Sequence, residues 1–187
     1  GAASGLGAET ARQLADAGAR VTAIDVDADG VDRVGRTIDA LALHCDVSDP
    51  AAAEDAFRQA REAHGAARVL VNCVGIAHLQ RIVGEQGTIA LDDFRQMVEV
   101  NLISAFNLLR LAAGDMATLE PTASGERGVI ISTASISAYE GQTGEAAYAA
   151  SKGGVVSMIL PAARELGPLG IRVVGIAPGL FGTPTLF

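Results

Sequence analysis

Residues 1–25 read GAASGLGAETARQLADAGARVTAID, and this run decides the fold. Gly1, Gly5 and Gly7 crowd a turn that opens directly into helix-forming residues, Ala8 to Ala17, with Gly18 where a C-terminal cap belongs. Val21 to Asp25 then reads as a short buried strand ending on a carboxylate. A glycine-rich turn lets backbone N–H groups approach an anion, and the dipole of the helix behind it favours negative charge. Gly1-x-x-x-Gly5-x-Gly7, with Ser4 and Leu6 between the glycines, is therefore read as a pyrophosphate cradle. Glycines also serve plain turns, so the cradle needs support from a residue outside the turn.

Asp25 supplies that support. An acid at a strand end, about a helix beyond such a turn, accepts from an adenosine ribose 2′-OH and repels a 2′-phosphate. No Arg or Lys follows it closely, and Ser4 stands where a phosphate-seeking base would sit, so NAD is favoured over NADP. The same alternation runs along the chain. Polar Val26 to Ala40 carries a weak helical pattern, and Leu41 to Val47 is the next strand, with Asp46 and Val47 at its end. Asp46 is read either as an acceptor for the adenine amino group or as a plain turn residue. Ser48-Asp49-Pro50 starts a helix running to about His64. Val69 to Gly75 is a strand ending on Asn72-Cys73-Val74-Gly75, and Ile76 to Ala90 suits a loop or small hairpin. From Leu91 the apolar positions Phe94, Met97, Val98, Leu102, Ala105 and Leu108 recur at helical spacing and predict one long helix to about Leu119. Gly128 to Thr133 is a strand, a helix bearing Tyr148 and Lys152 follows to about Gly167, and Ile171 to Ala177 is a strand closed by Pro178-Gly179.

Short apolar strands alternating with longer helices call for a doubly wound, Rossmann-like parallel sheet between two helical layers, an α/β/α sandwich in one domain over residues 1–187. Ligands in such folds bind at the carboxyl ends of the strands. Asp25, Asp46, Asn72, Gly75, Ser135 and Pro178-Gly179 all fall there.

The chain has 187 residues, 49% of them hydrophobic, which is ample for a core. Its net charge of −8 argues against nucleic acid and against an anionic membrane surface, which want clustered Lys and Arg. No run approaches a membrane-spanning length of apolar residues, so no transmembrane helix is expected. Cys45 and Cys73 are read as buried free thiols of a reducing compartment, which places the chain in the cytoplasm. No Cys or His pair has metal-ligand spacing, so no metal is expected.

Residues 132–152, STASISAYEGQTGEAAYAASK, hold a hydroxyl at Ser135, a phenol at Tyr148 and an ammonium at Lys152. Tyr148 and Lys152, four residues apart, share one helix face, as exposed Tyr–Lys pairs often do without function. Carbonyl–alcohol interconversion with hydride transfer needs a group that gives or takes a proton at the substrate oxygen. A phenol is a poor base at neutral pH, but a Lys⁺ about 4.5 Å away at an effective dielectric of about 20 favours the phenolate by roughly 3–4 kcal/mol. Tyr148 is thus the candidate general acid/base, Lys152 its electrostatic partner and a holder of the nicotinamide ribose, and Ser135 the group that orients the substrate oxygen.

These motifs together resemble the classical short-chain dehydrogenases/reductases over nearly the whole chain. Gly1, Gly5 and Gly7 match the glycines of that family's turn, and Asn72 and Gly75 match two of the four residues in its Asn-Asn-Ala-Gly motif; Val74 departs, adding bulk beside the cofactor. Asn101 matches the helix asparagine that supports a water relay behind the lysine. Ser135, Tyr148 and Lys152 match the catalytic residues, Pro178-Gly179 the turn by the nicotinamide, and Thr183 an amide contact. Residues 127–135, 140–144 and 177–184 look closest to the subgroup of type 2 3-hydroxyacyl-CoA dehydrogenases, which also act on hydroxysteroids. The resemblance implies NAD-dependent oxidation of short or branched 3-hydroxyacyl-CoA thioesters, with Gln142 beside the substrate. The alternatives are an NADPH-dependent 3-oxoacyl-carrier-protein reductase, which Asp25 argues against, and a non-catalytic NAD-binding subunit. Apolar residues on the helices from Leu91 and from Gly144 exceed the needs of one core face, and by resemblance they pair across subunits in a homodimer or homotetramer.

Two departures shape a further expectation. In the family a first strand, central to the sheet, precedes the glycine turn, and a substrate lid, a last strand and an oligomer contact follow the position of Phe187. The chain is therefore expected to be a fragment with both ends incomplete, its sheet interrupted and the free polypeptide unstable and inactive.

Overall fold

The structure, a computed structural model, describes residues 1–183; Pro184, the last residue of the 177–184 stretch, lies outside them. Helix α1 (Gly5–Asp16) leads into β1 (Thr22–Asp25), α2 (Ala28–Ile38), β2 (Leu41–His44) and α3 (Pro50–His64). Then come β3 (Val69–Asn72), the hairpin β4 (Val83–Gly84) and β5 (Gly87–Thr88), and α4 (Leu91–Val98). Helix α5 (Ser104–Ala117), β6 (Gly128–Thr133), the short α6 (Ser137–Glu140), α7 (Ala146–Leu166) and β7 (Ile171–Ile176) complete the order.

Local chemistry accounts for the boundaries. The Asp27 carboxylate accepts from the Gly30 N–H at the start of α2, and Asp49 accepts from the N–H groups of Ala51 and Ala52 ahead of Pro50 at the start of α3. Gly65, with φ of +79°, ends α3. The long helix expected from Leu91 is not uniform. Between α4 and α5 the chain makes a five-residue π-helical turn, Glu99–Ile103, and the buried Asn101 sits inside it. One extra residue per turn slips the apolar register by about 100° yet keeps the run continuous, so the spacing concealed it.

The strands pair in parallel as expected, but in two pieces. Thr22 lies opposite Leu41 and Asp25 opposite His44 in the β1–β2 pair. The other piece has the order β3-β6-β7, with Asn72 opposite Ser132 and Ser132 opposite Gly175. The facing edges of β1 and β3 border a cavity of about 450 Å³ lined by Ala23, Ile24, Val69, Val71, Leu108 and Ala112, among others. The sheet expected to lack a central strand is therefore interrupted between β1 and β3.

The main core fills the space between the sheet pieces and α3, α5 and α7 around the fully buried Met116 and Ile130. A buried side chain of that size contributes about 2–3 kcal/mol. A smaller cluster, Ala105, Ala134 and Val155, lies under the rim from which β6 leads into α6. By length and composition alone, Leu91–Ala117 is long and apolar enough to cross a membrane, a property that core helices share. Half of its apolar window is buried inside the protein, as a core helix requires. Cys45 is buried as expected, whereas Cys73 is only half-buried; both are free thiols.

Candidate active site

At the glycine turn, Gly1 touches both sheet pieces. Its ammonium donates to the Ile24 carbonyl at 2.8 Å and lies 3.5 Å from the Asp25 carboxylate, while a Cβ built on it would lie 2.6 Å from the Cys73 carbonyl carbon. A Cβ on Gly7 would collide with the Gly1 carbonyl oxygen. Only bare backbone fits here, which is the form an anion cradle takes. Gly5 adopts φ of +53°, with Thr183 packed against it, the Thr183 Cβ 3.2 Å from where a Cβ on Gly5 would be. Ser4 precedes α1 with its side chain exposed, and Leu6 is half-buried behind the turn.

Asp25 ends β1. Its two oxygens accept from the Ala3 and Asp27 N–H groups, each at 2.9 Å. Burial pushes the carboxyl up, but those N–H groups and the ammonium of Gly1 outweigh it and hold the group below its usual range. The carboxylate still has lone pairs for a hydroxyl donor. At the end of β2, Asp46 uses one oxygen on the N–H and hydroxyl of Ser48, which is the plain turn role; Val47 is buried in the core.

On the other piece, Asn72 is buried at the end of β3 and accepts from the Val74 N–H at 3.0 Å, shaping the turn beyond it. Val74 packs against the main core, so its bulk, expected beside the cofactor, turns inward. The next residue is pressed against the Lys152 ammonium: a Cβ on Gly75 would stand 3.2 Å from Lys152 Nζ and 3.4 Å from Asn101 Oδ1.

Lys152 is 3% exposed and donates from Nζ to the Thr133 carbonyl at 2.7 Å. Burial lowers its ammonium pKa from 10.5 to about 8. Asn101 is fixed from three sides: Oδ1 accepts from the Ile76 N–H, and Nδ2 donates to the Ile76 carbonyl and to Ser151 Oγ. The Ser151 hydroxyl donates in turn to the Tyr148 carbonyl at 2.7 Å. The π turn thus delivers Asn101 to the loop after β3 and to the helix that carries Tyr148. Ser135, buried where β6 ends, accepts from the Ser137 N–H at 3.1 Å, leaving its hydroxyl proton to donate. Tyr148 is half-buried on the first turns of α7. The Pro178 carbonyl accepts from the Ile136 N–H, which holds the Pro178-Gly179 turn beside Ser135.

Contacts run from Asp25 through Gly1, Cys73 and Thr133 to Lys152; Thr133 Oγ1 lies 3.8 Å from Cys73 Sγ. Gln142 stands apart. It is exposed and lines a separate cleft of about 550 Å³ between the 80–82 segment and the 141–149 turn, a cleft that Ser135, Tyr148 and Lys152 do not line. Two positioning groups escaped the sequence reading. A backbone carbonyl such as that of Thr133 leaves no mark in a sequence, whereas Ser151 had one signal, a small hydroxyl beside Lys152 on an apolar helix face.

A buried ammonium beside a phenol-bearing helix, a hydroxyl at a strand end and a glycine cradle ending on a carboxylate can support proton transfer next to a bound dinucleotide. The chain matches the family described as short chain dehydrogenase along residues 1–186. It is 47% identical over 190 residues to 3-hydroxyacyl-CoA dehydrogenase type-2 of Bos taurus, spanning 100% of this chain and 73% of that protein. The crystal structure of 3-hydroxyacyl-CoA dehydrogenase type-2 from Mycobacterium avium is similar with a TM-score of 0.91 and 36% identity, over 97% of this chain and 73% of that one. The structure of 3-ketoacyl-(acyl-carrier-protein) reductase from Brucella melitensis complexed with NADH gives a TM-score of 0.91 and 33% identity, over 100% of this chain and 76% of that one. The chain thus belongs to the short-chain dehydrogenases, oxidoreductases that work with a nicotinamide dinucleotide.

Proposed function

We propose that the chain carries the machinery for NAD-dependent oxidation of the 3-hydroxyl of short or branched 3-hydroxyacyl-CoA thioesters. The observation that carries the chemistry is the buried Lys152 ammonium held between Gly75 and the Thr133 carbonyl on the helix that bears Tyr148. The residues present fit a dinucleotide: the turn at Gly1, Gly5 and Gly7 admits no Cβ without collision or strain, and the Asp25 carboxylate closes its far end. When bound, that group supplies the hydride acceptor. Gly1 to Gly7 would hold its pyrophosphate, Asp25 its adenosine ribose, and Asn72, Gly75, Pro178, Gly179 and Thr183 line its course toward Lys152.

In the oxidative direction Tyr148 takes the proton from the substrate hydroxyl, and the positive charge of Lys152 favours the phenolate that does so. Ser135 donates its free hydroxyl proton to the substrate oxygen, orienting it. Asn101 and Ser151 tie the loop after β3 to the helix that carries Tyr148 and Lys152, which limits the movement left to those side chains.

Asp25, held ionised, supports NAD over NADP, because a second negative charge at the ribose would face it unpaired. The identity with the Bos taurus enzyme supports the acyl-CoA substrate, and we place Gln142 along the path of the thioester. The rival reading is an NADPH-dependent 3-oxoacyl-carrier-protein reductase; the Brucella melitensis structure supports its carrier-protein part only, since that reductase is complexed with NADH. The free thiols of Cys45 and Cys73 support a reducing, cytoplasmic setting, and the exposed Phe106, Ile103 and Leu160 support helix pairing between subunits. Turnover with 3-hydroxybutyryl-CoA, a branched 3-hydroxyacyl-CoA and a hydroxysteroid, each measured with NAD and with NADP, tests the reading. Activity confined to NADPH and carrier-protein thioesters would overturn it.

A further inference from the structure

Directly after Lys152, α7 carries Gly153 and Gly154 in succession. Glycine in a helix interior is destabilising relative to alanine, so its presence there asks for a local reason. Gly153 offers none, since a Cβ built on it would meet nothing within 4 Å. Gly154 does. A Cβ there would stand 2.5 Å from Leu102 Cδ2, 3.1 Å from Cδ1 and 3.3 Å from Cγ. The methyl groups of Leu102 thus rest on bare helix backbone, in space that a side chain at position 154 would take.

Leu102 follows Asn101 in the π turn, and Gly154 lies three residues beyond Ser151 on the same face of α7. Asn101 bonds to Ser151 and Leu102 seats on Gly154, so two consecutive residues of the π turn grip the helical turn that contains Lys152. The polar contact sets the register of the grip, and the apolar one sets how closely the two helices approach. Leu102 also packs on the small cluster of Ala105, Ala134 and Val155. Ala134 stands between Thr133, whose carbonyl accepts from Lys152, and Ser135. The knob is therefore continuous with the packing beneath the strand end that bears Ser135.

We propose that Leu102 and Gly154 are a positioning pair, a knob on the π turn in a socket of bare backbone on α7, which sets the depth at which the Lys152 ammonium meets the Thr133 carbonyl. The purpose of the pair rests on the reading that Lys152 serves Tyr148; its geometry does not. Moving α7 away from the π turn would lengthen the bond to Thr133 and admit water to an ammonium that burial now holds at about 8. Cys73 is the titratable neighbour whose charge acts on that ammonium.

Lys152 is the only lysine in the sequence, so isotope-labelled lysine gives one side-chain NMR signal whose titration reports this position alone. Gly154→Ala should raise the midpoint from about 8 by about half a unit or more and lower kcat about tenfold, with NADH affinity within a few-fold. Gly153→Ala adds the same carbon with nothing in reach, so it should leave midpoint and kcat in place and raise Tm. Leu102→Val shortens the knob, and combined with Gly154→Ala it should bring the midpoint most of the way back. The proposal is overturned if Gly154→Ala behaves as Gly153→Ala does, if it lowers Tm while the midpoint stays, or if Leu102→Val restores nothing. Should Gly154→Ala fail to fold, Leu102→Ala empties the socket from the other side: a raised midpoint supports the pair, and an unchanged one refutes it. The titration uses neither cofactor nor substrate, so failure here is distinct from failure of the proposed reaction.

Discussion

The rim of β3, β6 and β7 and the rim of β1 and β2 hold their polar groups in different ways. On the first, Lys152, Asn101, Ser151 and Ser135 are all buried, and each is tied to an element distant in the chain or to the first turn of a neighbour. On the second, Asp25 and Asp46 take their bonds from backbone within the next few residues or from the glycine turn. Buried side chains fixed by distant partners are preorganised, and preorganisation is what rate acceleration needs. Partly exposed carboxylates on local turns are adequate for recognising one end of a ligand and can be exchanged at small structural cost. The residues proposed for the chemistry and those proposed to address the cofactor thus sit on separate pieces of sheet, which makes their contributions separable by mutation.

The largest effect is expected at Tyr148. Tyr148→Phe should lower kcat by about 10²–10⁴-fold, the usual contribution of a positioned acid or base, while NADH affinity by fluorescence titration stays within a few-fold. Equal loss of binding and turnover would show that the two rims are not independent.

Lys152→Met should reduce kcat almost as far, yet leave a protein no less stable at pH 7. The reason is the sign of the linkage. Burial puts the folded-state pKa at about 8, below the ordinary 10.5, so between those values the unfolded chain keeps a proton that the folded one has released. The destabilisation, about 3 kcal/mol, is complete below pH 8 and is relieved as pH rises from about 8 to about 10.5. Denaturant midpoints of the parent chain should therefore climb across that window, and those of Lys152→Met should not. A midpoint for the parent that falls from pH 8 to pH 10 would mean that the ammonium gains more from its surroundings than burial takes away.

Asn101→Ala should cost about 2–3 kcal/mol of stability, since the Ile76 N–H and carbonyl lose their partner in a buried place. It should also lower kcat by about tenfold to a hundredfold through loss of loop position. Recovery of most of both by Asn101→Asp, judged by denaturation and steady-state rates, would mean that the Ile76 N–H contact alone carries the effect.

How far these features could be read from the sequence depends on the same division. Strand ends were legible because apolar runs stop on polar residues; β6 begins at Gly128 and ends at Thr133 as read. Ser135, Tyr148 and Lys152 were legible as reactive types at fixed spacing. The π turn was not, because Met97, Val98, Leu102 and Ala105 satisfy helical spacing with or without one slipped residue. Nor was the inward turn of Val74, since a sequence does not say on which side of a strand end the core continues. Gln142 was placed by likeness alone, and it lies in a cleft that Ser135, Tyr148 and Lys152 do not line.

The smallest expected effect tests the address rather than the chemistry. Asp25→Ser removes the charge that a 2′-phosphate would meet, so the preference for NAD over NADP should fall by about 10–100-fold, or about 1.4–2.7 kcal/mol, with kcat for NAD nearly unchanged. The same change releases the Ala3 and Asp27 N–H groups, at a cost of about 1–2 kcal/mol. Asp25 is held below its ordinary 3.8, so its contribution to stability is complete above about pH 4 and lost as pH falls through the lower folded value. Acid denaturation of the parent and of Asp25→Ser should therefore converge below pH 4, having differed at neutral pH. If kcat falls as far as the cofactor preference, the carboxylate at the end of β1 positions the reacting end of the dinucleotide as well, and the two rims act as one site.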